Sequence, residues 1–148
     1  MADSSDPKVL QGYVSVRPFG GVALPVPIQN LVLRNYCQQI GFLYALPMGE
    51  HKYEDCFMQL FATLNGAENY SDIGFCSAHM LPTNNVLMAK LQSIVTSKHL
   101  TLHCLFEGAV INTLSEFQET RRRITLRKYA DEVDSHAVEL KKILRQEG

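Results

Sequence analysis

The chain contains no tryptophan, and no two of its four cysteines stand closer than 19 positions apart. Cys37, Cys56, Cys76 and Cys104 therefore form no CxxC pair and no compact zinc knuckle. Each falls in an apolar segment, where a free thiol is ordinary core packing. Basic excess is also missing. The formal net charge is −1 and the sequence pI about 6.5, whereas a dedicated nucleic-acid binder draws its affinity from a surplus of Lys and Arg. No run approaches the roughly 18 consecutive apolar residues of a membrane span, and residues 1–8 are polar and acidic, without the basic start and apolar stretch of a secretory signal. These absences point to a cytoplasmic chain with neither nucleic acid nor membrane as partner. The phosphate-binding patterns GxGxxG and GxxxxGK[ST] are missing, as are the GxSxG elbow and HExxH. No cofactor and no metal is implied. His99 and His103 are expected to share one face of a strand, away from any ligand end, and two histidines alone make no metal site.

What is present is alternation. With 148 residues, 46% of them apolar, the chain suits one domain with one core. Residues 1–9 read as a disordered leader. A strand is expected over 11–17, where Tyr13, Val14 and Val16 are interleaved with small or polar residues. Pro18, Gly20 and Gly21 break it, and Pro25 and Pro27 lead into a helix over 28–40. Its expected buried stripe is Ile28, Leu31, Val32, Tyr36 and Ile40. A continuous apolar strand follows over 42–46, then a helix over 53–64, a strand over 72–78, and a helix over 84–97 with Thr83 at its N-cap. The stripe of that last helix is Leu87, Leu91, Ile94 and Val95. A fourth strand is expected over 99–106. The segment 112–146 is one long helix or two, with Leu114, Phe117, Arg121 and Ile124 on one face and Val133, Ala137, Leu140 and Leu144 on a later stripe.

The order β-α-β-α-β-α-β-α specifies an α/β fold, a three-layer and mostly parallel sheet of the flavodoxin-like or Rossmann-like kind, with right-handed crossovers. Ligands of such sheets bind beyond the carboxyl ends of the strands. The groups expected there are Ser15, Arg17 and Phe19 after the first strand, with Gln29, Asn30 and Arg34 on the helix that follows. Glu50, His51 and Lys52 come after the second strand, Ser77 and His79 after the third, and Glu107 after the fourth. Arg17 beside a Gly-Gly loop suits bidentate contact with a carboxylate or phosphate. His79 suits proton transfer near neutral pH, with Glu50 or Glu107 as the partner carboxylate. The 50–52 loop reads equally as a solvated connection, and Glu107 as a helix-capping group.

Two resemblances add to this reading. GYVSVRPFGG, PIQNLVLRNYC, GFLYALP and YSDIGFCSAHMLP are similar to the sporadic carbohydrate cluster family, small bacterial proteins encoded among polysaccharide and lipopolysaccharide genes. That resemblance implies a setting in surface-polysaccharide or lipopolysaccharide synthesis and no particular reaction. In that setting the rim residues lead to the expectation of an enzyme acting by acid/base chemistry on an anionic or activated sugar or sugar phosphate, and the long charged C-terminal helix to the alternative of a non-catalytic accessory that holds another biosynthetic enzyme. The opening GYVSVR also resembles the catalytic domain of serine recombinases, which begins Y-x-R-V-S with an arginine two positions before the nucleophilic serine. Here the two are exchanged, as Ser15-Val16-Arg17, and the segment HMLPTNN carries none of that family's phosphate-binding arginines. The resemblance implies a shared fold without shared chemistry. The stripe Val133, Ala137, Leu140 and Leu144 implies a homodimer.

Overall fold

The computed structural model describes residues 7–21, 23–47, 49–50, 57–67 and 70–147. Five strands form one sheet: β1 (Val9–Gly12), β2 (Leu43–Ala45), β3 (Asp72–Phe75), β4 (Thr101–Cys104) and β5 (Ala109–Ile111). Four helices accompany them: α1 (Val26–Ile40), α2 (Met58–Asn65), α3 (Asn85–Lys98) and α4 (Leu114–Glu147), with a 3₁₀ turn over Ala78–Met80. The sheet order is β2-β1-β3-β4-β5. The first four strands are mutually parallel, and β5 joins β4 antiparallel. Right-handed crossovers place α1 on one face and α2 and α3 on the other. All four residues of β3 are buried, as a central strand covered on both faces requires.

The α/β alternation is as the sequence predicts, and the boundaries shift for physical reasons. The first strand pairs over Val9–Gly12, not 11–17, so the leader expected over 1–9 gives its last residue, Val9, to the sheet, and its first six lie outside the described residues. Beyond Gly12 the chain leaves the regular ladder. Tyr13 still donates its N–H to the Gly74 carbonyl at 2.9 Å, and Ser15 makes one bridge to Glu50. Both backbone groups of Ser15 itself are taken by a side chain. Gln29 accepts from its N–H at 3.2 Å and donates to its carbonyl at 2.8 Å.

That clamp also turns α1. Its buried residues are Gln29, Leu33 and Cys37, one helical step apart, while the expected stripe members Ile28, Leu31 and Ile40 are exposed. Burying the Gln29 amide on the backbone of residue 15 rotates the helix relative to its apolar periodicity. The cap of α3 is Asn84 rather than Thr83, its Oδ1 accepting from Val86 and Leu87 at 2.8 and 3.3 Å. The helix expected over 53–64 begins at Met58, and residues 53–56, Cys56 among them, lie outside the described residues.

His99 is not on a strand. It closes α3 in the left-handed region at φ 55°, so it shares no strand face with His103. The latter is buried in β4, its Nε2 2.7 Å from Asp72 Oδ2 and its Nδ1 2.7 Å from the Tyr36 hydroxyl. Asp72 opens β3, which puts this network at the amino end of the sheet. The edge strand β5 has no counterpart in the sequence reading. The chain turns back through Gly108 at φ 62°, and three residues suffice to cover the β4 edge. The C-terminal segment is one helix of 34 residues, roughly 50 Å long at 1.5 Å per residue. Phe117 and Thr120 bury its first turns against the domain, while Leu114 is exposed.

Candidate active site

The strand order reverses between β1 and β3, and a crevice opens beyond their carboxyl ends at such a switch point. A cleft of about 290 Å³ lies there, with Ser15, Arg17, Phe19, Phe57, His79 and Leu81 in its wall. The loop after β1 and the loop after β3 supply its two sides.

The first side is built on Tyr13. Its ring stacks tilted on Phe75 at 5.3 Å, and its hydroxyl donates to Glu50 Oε2 at 3.0 Å. Arg17 Nη2 donates back to that hydroxyl at 3.3 Å, and the guanidinium lies 4.3 Å from the centroid of the Phe57 ring, a cation–π distance. Burial, with the Glu50 carboxylate beside it, holds the Tyr13 hydroxyl protonated well above the usual phenol range. It therefore serves as a fixed donor to Glu50 and acceptor from Arg17. The Arg17 N–H donates to Ser15 Oγ at 3.2 Å, a local turn that short hydroxyl side chains favour. Gly20 and Gly21 follow with φ of 57° and 76°, a pair of left-handed residues that glycine adopts without strain. Gly20 also packs against the His79 ring. A Cβ built there stands 3.1 Å from the imidazole.

The second side is built on Glu107. One carboxylate oxygen accepts from the Ser77 hydroxyl at 2.7 Å and the other from the Ala78 N–H at 2.7 Å. Ser77 Oγ in turn accepts from the His79 N–H at 3.1 Å. A carboxylate from the β4–β5 turn thus fixes the 3₁₀ turn that presents His79, whose ring is exposed.

The structure therefore brings Ser15, Arg17, Phe19 and His79 to one cleft. Glu107 and Ser77 stand behind His79 as its support. Glu50 stands behind Arg17. It is 3% exposed, and its carboxylate accepts from the N–H groups of Gln59 and Leu60 at the start of α2 as well as from Tyr13. Gln29 is fully buried, both ends of its amide on backbone, and lies beneath the cleft wall rather than in it. Asn30 Oδ1 accepts from the Tyr44 hydroxyl at 2.6 Å, and Arg34 is exposed on α1. Neither lines the cleft. His51 and Lys52 lie outside the described residues. Among the described residues no group of three His, Cys, Asp or Glu side chains converges as a metal site, and no helix is long and apolar enough to cross a membrane.

Sequence reasoning missed Tyr13 and Phe57 as members of the site. The signal for Tyr13 is the spacing of Tyr13, Ser15 and Arg17, alternate positions that an extended chain turns to one side. Nothing marks Phe57, because its role depends on where α2 begins.

The N-terminal catalytic domain of TP901-1 integrase superposes on this chain with a TM-score of 0.60. The match covers 85% of this chain and 98% of that domain, at 10% sequence identity. The fold is resolvase-like. Sequence similarity adds nothing further: no family model matches the chain, and no curated protein matches it.

Proposed function

We propose that the chain is a small-molecule enzyme, with the cleft beyond β1 and β3 as its site and an anionic or activated sugar as its substrate. The observation that carries this reading is the pairing of Arg17 and His79 in the wall of one cleft at the switch point of the sheet. Each is held in place by its own carboxylate network, through the buried Glu50 for Arg17 and the half-buried Glu107 for the turn that carries His79. Arg17 supplies a positive charge fixed against Phe57 and Tyr13, and His79 supplies proton transfer. Glu50 and Glu107 serve as the carboxylates that position these two. Isomerisation, epimerisation or elimination needs such groups and no redox cofactor. The sugar, and a setting in bacterial surface-polysaccharide or lipopolysaccharide synthesis in the cytoplasm, rest on the resemblance of residues 12–21, 27–37, 41–47 and 70–82 to the sporadic carbohydrate cluster family alone, with no matching family model behind it.

The test is a deletion strain complemented with variants and followed by metabolite profiling. Arg17→Ala should weaken substrate binding by about 1.5–3 kcal/mol, the worth of a charge-assisted contact. His79→Gln should lower turnover roughly 10²–10⁴-fold. Full complementation by both variants refutes the site. DNA strand cleavage, the chemistry of recombinases, is not proposed. Ser15 is 1% exposed and its Oγ accepts the Arg17 N–H, so it is not presented to a duplex. A covalent protein–DNA adduct through Ser15 contradicts this.

A second reading, a scaffold for another biosynthetic enzyme, is favoured by the length and charge of α4, and self-association by its apolar stripe. Val133, Leu140 and Leu144 on its outer half are 64%, 61% and 67% exposed, and with Ala137 they form a stripe the domain itself does not cover. We propose that a second copy of the chain covers it, as a two-fold dimer. Light scattering of the intact chain against a chain ending at Tyr129 decides: a monomeric mass for the intact protein at micromolar concentration rules the dimer out.

A further inference from the structure

Next to the cleft lies a second cavity of about 210 Å³, opening between the 78–83 turn, α3, β5 and the first turns of α4. Met88, Ile111, Phe117 and Ile124 make its wall apolar, and Arg121 stands at its rim. Three of these four, Met88, Ile111 and Phe117, are core residues, so their positions are fixed by the fold. The two cavities both open to solvent and share His79, Leu81 and Thr83. The exposed imidazole of His79 thus stands on their common rim.

The second cavity is the more apolar of the two, with Thr83, Thr120, Arg121 and Thr125 as its polar lining besides His79. One side holds the Arg17 guanidinium, and the other is walled largely by hydrocarbon. Taken together the two volumes fall within the range of small-molecule sites, about 300–1,000 Å³. We propose that they form one site for an amphipathic anion: a phosphate or carboxylate head on the Arg17 side, and an alkyl or aryl group passing over His79 into the second cavity. This rests on the reading of the cleft as an anion site and adds the chemical class of what the anion carries. It also gives His79 a position at the junction of head and tail, where the bond linking them would lie.

The test is calorimetric titration of the full chain with inorganic phosphate, butyl phosphate and octyl phosphate, each below its micellar concentration. Affinity should rise about fourfold for each methylene buried, until the second cavity is full. Thr125→Trp, an exposed position on α4 in the cavity wall, should remove the gain of octyl phosphate and leave phosphate binding unchanged. Arg17→Ala should weaken all three by one common factor of about 10–100, the loss of a charge-assisted contact. Equal affinity for phosphate and octyl phosphate overturns the amphipathic ligand and leaves the anion site standing. Tightening that survives Thr125→Trp overturns the placement of the tail. Absence of binding by all three overturns the anion site and this inference with it.

Discussion

Removing the Glu50 carboxylate should unfold the wall of the cleft rather than disable a reaction. Phe57, at the N-cap of α2, has no side chain that can accept from the first turn. Glu50 does this work from seven residues upstream. It takes the Gln59 N–H at 3.0 Å and the Leu60 N–H at 3.1 Å, and its negative charge sits at the positive end of the helix. Loss of such a cap costs about 1–2 kcal/mol. Tyr13 is 1% exposed, and stripping its hydroxyl of an acceptor adds about 1–3 kcal/mol. Glu50→Ala should therefore cost about 2–5 kcal/mol, a large part of the 5–15 kcal/mol typical of a whole domain. In a chain of this size that lowers Tm by roughly 10 °C. Glu50→Gln should fall between the two, because either orientation of the amide sets its NH₂ against a backbone donor. The assay is urea and thermal unfolding of both variants by circular dichroism. A Glu50→Ala protein within 2 °C of the parent refutes this reasoning and returns Glu50 to the reaction as the acid that its position after β2 suggested.

Three further outcomes follow from the same geometry. Gly20→Ala should cost about 1–2 kcal/mol, since φ is 57° and the added Cβ crowds the His79 ring, and it should shift the His79 ring resonances in the NMR spectrum; an unchanged spectrum refutes the contact. Burial pushes the Cys76 thiol up to about 11 and the Cys104 thiol to about 12. At pH 8 about one Cys76 in a thousand is then a thiolate, so peptide mapping after iodoacetamide treatment of the native protein should show Cys76 and Cys104 unmodified. The same shifts set the alkaline limit: both thiols ionise near 9 in the unfolded chain and later in the folded one. Stability is therefore whole below pH 9 and falls between 9 and 12, by about 1.4 kcal/mol for each thiol at pH 10. A urea midpoint that is the same at pH 8 and pH 10 contradicts it.

The sequence displays the order of elements because hydrophobic period and Pro-Gly breaks are local properties. It does not display the rotation of α1. That depends on Gln29 finding the backbone of Ser15, a contact between residues whose proximity only the fold decides. The same holds for β5, too short for a periodic signal, and for Asn84 over Thr83, where either residue type could cap. At the site the rule that places ligands beyond strand ends finds Arg17, Phe19 and His79. It cannot separate them from Glu50, Ser77 and Glu107, which leave the same strand ends but give their polar atoms to one another, to Tyr13 and to backbone N–H groups. A carboxylate seen in a sequence has a charge and no direction.

Direction also separates this chain from the recombinase domain whose fold it shares. A fold fixes where the strand ends lie, and chemistry depends on which atoms face the crevice there. After β1 this chain buries a serine and turns an arginine outward over an aromatic ring. After β3 it presents one imidazole on a 3₁₀ turn held by Glu107. A phosphodiester transfer calls for several cations around the transferred phosphoryl group, and among the described residues that line this cleft Arg17 alone is an arginine or lysine. One fixed cation, one exposed imidazole and an apolar cavity beside them match a small anion with a hydrocarbon substituent better than they match a polyanionic strand.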